Sequence, residues 1–114
     1  MMRILRDRLS RDALRQIAAE TFGDLVKAVV DLDRELVALD AELHSDLEAL
    51  LLDDGSAQDA LWGINLYPGL AGGEFVEFDS MINMRPSQGN KTRGVEDPAI
   101  RARILRIVDL WVNR

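Results

Sequence analysis

The chain has 114 residues, with 20 acidic side chains against 14 Lys and Arg, one histidine, no cysteine and a formal net charge of -6. Without cysteine there are no disulfides, zinc–thiolate sites or thiol chemistry. An acidic chain is a poor partner for nucleic acid, whose phosphates need clustered Lys and Arg.

The length fits one domain spanning residues 1–114, enough to bury roughly two-thirds of its unfolded surface. The opening stretch MMRILRDRLSRDAL is charged throughout and has no apolar core of signal-peptide length. No apolar run reaches membrane-span length, so a cytoplasmic protein without membrane contact is expected.

In chain order, residues 3–6, RILR, read as a short edge strand. Ser10 is a good N-cap, Leu14, Ile17, Ala18 and Phe22 recur at helical spacing, and Gly23 can stop the turn; a helix is predicted over about 11–21. Residues 24–40, DLVKAVVDLDRELVALD, carry two periods at once. Leu25, Val29, Leu32, Leu36 and Leu39 suit a helix, whereas Ala28, Val30 and Leu32 alternating with Val29, Asp31 and Asp33 suit a strand. Pattern alone leaves this open.

The segment ELHSDLEALLLDDGSAQDALWGINLYP reads as a hairpin. Leu43, Leu47, Ala49 and Leu51 lie on one face, His44, Asp46 and Glu48 on the other. DDGSAQD is a turn by composition, and Gly63 in the returning strand suggests a bulge or a close approach. DDGS lacks the spacing and terminal Glu of a calcium loop. FVEFDSMINMRP then reads as a strand, with Val76, Phe78, Ile82 and Met84 on one face and Glu77, Asp79, Asn83 and Arg85 on the other, closed by Pro86. SQGNKTRGVE is a polar loop. Asp97 as N-cap and Pro98 at the first helical position start a last helix with a stripe of Ile100, Ile104, Ile107, Val108 and Trp111.

The segments HSDLEALLLDDGS, WGINLYP, DSMINMRPSQGN and DPAIRARI, in this order, resemble a family of small prokaryotic proteins catalogued as a domain of unknown function. The similarity covers roughly residues 25–108. The resemblance implies no reaction, ligand or cofactor. It does imply glycines near the position of ALDAEL, which suits a turn between two strands; this chain has Leu39, Asp40 and Ala41 there. Strand is therefore adopted for 26–38. The resulting plan is α+β, β-α-β-β-β-β-α, a mostly antiparallel meander with two helices packed on one face.

On that plan the uncovered sheet face collects Asp31, Asp33 and Glu35, then His44, Asp46 and Glu48, then Asn65, then Glu77, Asp79, Asn83 and Arg85. Strands stand about 4.8 Å apart, so such groups converge. His44, Asp46 and Glu48 are the catalytic candidates for proton transfer. His44, Asp46 and Asp31 are the metal candidates, a donor set suited to magnesium or manganese. The plainer reading of the same alternation is a solvated sheet face, and crowded acids can be relieved by Arg34 or Arg85 instead of a cation.

Asn83, Arg85, Asn90, Lys91 and Arg93 form a basic loop able to hold a small anionic ligand, although it lacks P-loop order. Equally, it is a polar connection whose Arg85 pairs with a carboxylate. Arg101, Arg103 and Arg106 mark a solvated or partner-facing helix surface. Two functions follow from these residues. One is a small-ligand- or divalent-metal-binding domain with hydrolytic capacity. The other is a non-catalytic interaction or regulatory module, with a homodimer as its simplest form.

Overall fold

A computed structural model describes all of residues 1–114. Ser10 starts the first helix, its hydroxyl accepting the Ala13 N–H at 3.1 Å. Asp97 does the same for the last, accepting from Ala99 at 2.8 Å ahead of Pro98. The elements are β1 (Arg3–Ile4), α1 (Arg11–Glu20), β2 (Val26–Asp31), β3 (Leu36–Leu39), α2 (His44–Asp53), β4 (Leu61–Leu66), β5 (Val76–Glu77) and α3 (Pro98–Trp111). Short 3-10 turns occupy 58–60, 72–74, 81–83 and 86–88. The five strands form one antiparallel sheet in the order β1-β3-β2-β4-β5. The fold is α+β, as the sequence indicates.

Two helices, α1 and α3, pack on one face of the sheet. Leu14, Ile17 and Ala18 from α1 meet Ile104, Ile107 and Val108 from α3 over Ala28, Val30, Val37, Leu39, Trp62, Ile64 and Leu66. A third helix, α2, lies on the opposite face, where Leu47 and Leu51 pack on Val29, Ala38 and Leu61. The sheet is therefore covered on both sides, which explains why β2 and β4 are nearly continuous apolar runs and not strict alternations. No helix is long and apolar enough to cross a membrane.

Three segments differ from the sequence reading. The first is the histidine segment, which is helix α2 and not a strand. Its alternating acids masked a helical stripe, because His44, Leu47 and Leu51, spaced three and four apart, are the buried positions. Fully burying two leucines contributes about 1.5–3 kcal/mol each. That outweighs the roughly 1 kcal/mol forgone because Leu43, the N-cap residue, offers no capping side chain. DDGS closes this helix. The Gly55 N–H reaches the Leu52 carbonyl, the Ser56 N–H reaches that of Leu51, and Gly55 has φ +107°.

The second is the stretch 26–38, which is extended but folded into a hairpin. Asp31 Oδ1 accepts the N–H groups of Asp33 at 2.9 Å and Arg34 at 3.0 Å, and Glu35 takes φ +54°. No glycine or proline advertises this turn. At the position where the family resemblance implies glycine, Asp40 takes the left-handed conformation itself, at φ +73°. The end of β3 therefore lies where a glycine turn would put it.

The third is the segment 75–85, of which only Val76 and Glu77 join the ladder. Ser80 sits against Gly63, and a Cβ built on Gly63 would lie 2.5 Å from both Ser80 Cβ and Oγ. The close approach expected at Gly63 is thus real, and it turns the chain out of the sheet. Asn83 then replaces the missing strand. Its Oδ1 accepts the Gly63 N–H at 2.8 Å, and its Nδ2 donates to the Gly63 carbonyl at 2.9 Å.

Two outcomes follow. Gly63→Ala destabilises the protein by about 1–3 kcal/mol through overpacking, and adding Ser80→Gly restores much of the loss in chemical denaturation; equal stability of Gly63→Ala and wild type removes the interlock. Asn83→Ala leaves two buried backbone groups unpaired, at about 1–3 kcal/mol each; a loss below 1 kcal/mol in the same assay counts against the pairing.

Candidate functional site

The site begins at the start of α2. Leu43 is extended and caps nothing, so the chain enters the helix with His44 directed onto the sheet, 8% exposed. His44 Nε2 stands 2.7 Å from the Ile64 carbonyl oxygen. A carbonyl only accepts, so Nε2 carries the proton and Nδ1 holds the lone pair. Nδ1 has no protein partner. Burial pushes the imidazole pKa below its usual 6.5 and outweighs the Ile64 hydrogen bond, which raises it; Lys27 lowers it and Asp79 raises it, each less strongly. The ring is neutral at neutral pH.

His44 lines a cleft of about 550 Å³ between the first turn of α2 and the β4–β5 end of the sheet. Lys27, Asn65, Tyr67, Glu77 and Asp79 form the sheet side, Leu43 and Ser45 the helix side, and Met81 and Arg93 the rim. Asn65 Nδ2 donates to Glu77 Oε1 at 2.8 Å and to the Asp79 carbonyl at 3.2 Å. Glu77 Oε1 also receives the Tyr67 hydroxyl at 3.1 Å, and burial together with that carboxylate raises the Tyr67 pKa. Arg93 Nε pairs with Asp79 Oδ1 at 2.7 Å.

The remaining candidates separate. Asp46 is exposed on α2. Glu48 turns to Arg85, 3.9 Å away, and lines a second cleft of about 460 Å³ with Asp59, Met81, Met84 and Gln88. The proposed catalytic trio of His44, Asp46 and Glu48 is thus split: two residues on, Asp46 turns away to solvent, and Glu48, one turn along from His44, is drawn to Arg85.

The metal trio is split as well. Asp31 is fully buried in the β2–β3 turn, near the far end of α2, where Arg34 donates to Asp54 at 2.7 Å. No group of three or more His, Asp or Glu side chains stands close enough to hold an ion, so the donor set does not fit magnesium or manganese.

The basic loop is internally consumed. Asn83 Nδ2 also donates to the Arg93 carbonyl at 3.0 Å. Asn90 Nδ2 donates to the carbonyls of Asn83, Thr92 and Gly94, while its Oδ1 accepts from Glu96. Arg85 lies over the Trp62 ring at 4.8 Å and donates to the carbonyls of Ile82 and Leu61. Burial lowers its pKa, opposed by Glu48 and Asp59. Lys91 is exposed, and its backbone N–H donates to Glu96. Arg85, Lys91 and Arg93 therefore do not share one pocket.

Sequence reading placed Asn65, Glu77 and Asp79 on a common polar face, and they do meet around His44. It missed Lys27, Ser45 and Tyr67. Lys27 was legible as the one charge inside the apolar run of β2.

The residues of this cleft and of the loop beside it fall within a stretch, residues 3–110, that matches the family model described as protein of unknown function (DUF5674). The chain belongs to the DUF5674 family. The match takes in nearly the whole fold, from β1 to the last turn of α3, and bears out the resemblance read over 25–108. Comparison with curated proteins and with solved structures finds no match. For this DUF5674 chain the chemistry has to be read from the cleft itself.

The state of His44 is measurable through stability. Its folded pKa lies below the unfolded one, so under pH 6.5 the unfolded chain binds a proton that the folded chain resists, and stability falls as pH falls. The slope from this ring is at most about 1.4 kcal/mol per pH unit. Denaturation midpoints from pH 7.5 to 5 are expected to decline less steeply in His44→Gln than in wild type. Parallel slopes would show that the ring is not held neutral.

Proposed function

We propose that this protein is a small-ligand-binding domain and that the cleft beside His44 is its binding site. One observation carries the reading: the only imidazole of the chain is nine-tenths buried, anchored through Nε2, and left with an unpaired Nδ1 on the wall of a cleft. An interior histidine of purely structural purpose usually has both nitrogens satisfied. Here one nitrogen fixes the ring and the other is spare.

A neutral imidazole with a fixed tautomer is an acceptor for a ligand N–H or O–H, and a general base for a water or hydroxyl placed at hydrogen-bond distance. That is the basis of hydrolytic capacity in this fold. Metal assistance is not part of the proposal, because the carboxylates are dispersed.

A second reading, a non-catalytic interaction module with self-association as its simplest form, is favoured by a specific feature. Leu43, Met81 and Met84 are 56%, 64% and 44% exposed, and they line the two clefts on the α2 side of the sheet. Sedimentation of wild type and of Met81→Ser tests it: a protein that is monomeric at high concentration removes the self-association form.

For the main reading, a set of small polar fragments is titrated into isotope-labelled protein by NMR. Binders are expected to move the His44 ring, the Ser45 and Glu77 amides and the Asn65 side-chain amide together. His44→Phe, which fills the space with an apolar ring, is expected to abolish those shifts. Fragments that bind equally well to His44→Phe, or that move none of these signals, would sink it.

A further inference from the structure

We infer that the ligand of this cleft presents a primary ammonium group to its sheet side. The inference rests on the cleft being the binding site and goes on to name what fills it.

Three acceptors that line the cleft receive no donor from the protein, although Lys27 stands across from Asn65 on the neighbouring strand. Asn65 is 6% exposed, and its Oδ1 is buried with no partner. The orientation of this amide is fixed, because both Nδ2 contacts, Glu77 Oε1 and the Asp79 carbonyl, only accept. An unpaired buried amide oxygen costs about 1–3 kcal/mol unless a donor reaches it. Glu77 uses Oε1 twice, for Asn65 and Tyr67, and its Oε2 receives no protein donor. His44 Nδ1 is the third acceptor, held that way by the Nε2 contact to Ile64.

The charges point the same way. Asp79 is neutralised by Arg93 at 2.7 Å. Lys27 lies over the Phe22 ring, 5.4 Å from its centroid, and reaches none of the three acceptors by a hydrogen bond. The carboxylate of Glu77 is therefore left without a cation in direct contact. A carboxylate or phosphate ligand would face that charge and add acceptors to acceptors. A hydroxyl supplies one donor and brings lone pairs of its own. A primary ammonium supplies three N–H donors and one positive charge, matching an amide oxygen, an imidazole nitrogen and a carboxylate. The anionic ligand suggested by the basic loop is replaced, at this cleft, by a ligand of opposite sign.

The test uses the whole chain and three probes on one two-carbon skeleton: ethanolamine, ethylene glycol and glycolate, titrated at neutral pH and followed by NMR. Ethanolamine is expected to move the Asn65 side-chain amide and the His44 ring at the lowest concentration. Glu77→Gln keeps a side chain of the same shape while removing the charge, and is expected to weaken ethanolamine by about tenfold with no change for ethylene glycol. Glycolate or ethylene glycol shifting these signals at lower concentration than ethanolamine overturns the ammonium assignment and leaves the cleft as a binding site. Equal ethanolamine affinity in Glu77→Gln also overturns it. If none of the three moves a cleft signal while the fragment set does, the assignment fails alone; if the fragments fail too, the cleft reading falls with it.

Discussion

The carboxamide of Asn83 binds both backbone groups of Gly63, and the remainder of this side of the molecule is arranged around that pair. Its oxygen accepts from the Gly63 N–H and its nitrogen donates to the Gly63 carbonyl, as a neighbouring strand would do. Nothing wider than a glycine could sit there, since Ser80 lies where a Cβ would project. Because one side chain replaces a strand, β5 pairs only with Asn65 and Leu66, and the chain is released into the turns of 81–88. Farther along the same strand, the Leu61 carbonyl is met by Arg85. The edge of β4 is thus closed by side chains, which blunts an otherwise exposed ladder.

That closure also sets what the polar loop can do. Asn83 ties Gly63 to the Arg93 carbonyl, Asn90 binds Asn83, Thr92, Gly94 and Glu96, and their amide groups are spent in doing so. Arg85 and Arg93 are likewise held, one by backbone carbonyls and the Trp62 ring, the other by Asp79. A loop whose amide groups are spent on its own backbone, and whose Arg85 and Arg93 are each held in place, is a structural support. Apart from Arg93 on the rim, its effect on the cleft is indirect: it fixes Asp79 and Ser80, and through them the wall beside Asn65 and Glu77.

What could be read from the sequence follows the range of each interaction. The helix starts at Ser10 and Asp97 are local hydrogen bonds between residues two or three apart, and their residue types announce them. Gly63 announced a close approach, although not what approached. The Asp31 turn was hidden because an aspartate side chain and a left-handed Glu35 do the work usually given to glycine. The α2 segment was ambiguous for a different reason: His44, Asp46 and Glu48 alternate, while His44, Leu47 and Leu51 repeat helically, and only burial chooses between the two periods. Asn65, Glu77 and Asp79 could be grouped from sequence because β4 and β5 do pair at Asn65 and Glu77, with Asp79 two residues further on. The role of Asn83 was illegible, since it depends on a backbone partner twenty residues away.

Burial of both sheet faces finally constrains where chemistry can occur. An open polar sheet face would have offered Asp31, Asp46 and Arg85 a common floor; the α2 helix occupies that floor with Leu47 and Leu51 instead. Polar groups then converge at the margins of the apolar contact, beside Glu48 and Arg85 and at the point where α2 begins and β5 runs out. His44 stands at that point, and its anchor on Ile64 fixes which nitrogen is spare. Asn65 and Glu77, on the neighbouring strands, line the same cleft, and each keeps one oxygen that no protein donor reaches. The covering helix that separates Asp31, Asp46 and His44 therefore also leaves three unpaired acceptors on the walls of one cleft, and the proposed ammonium ligand is the group that would answer them.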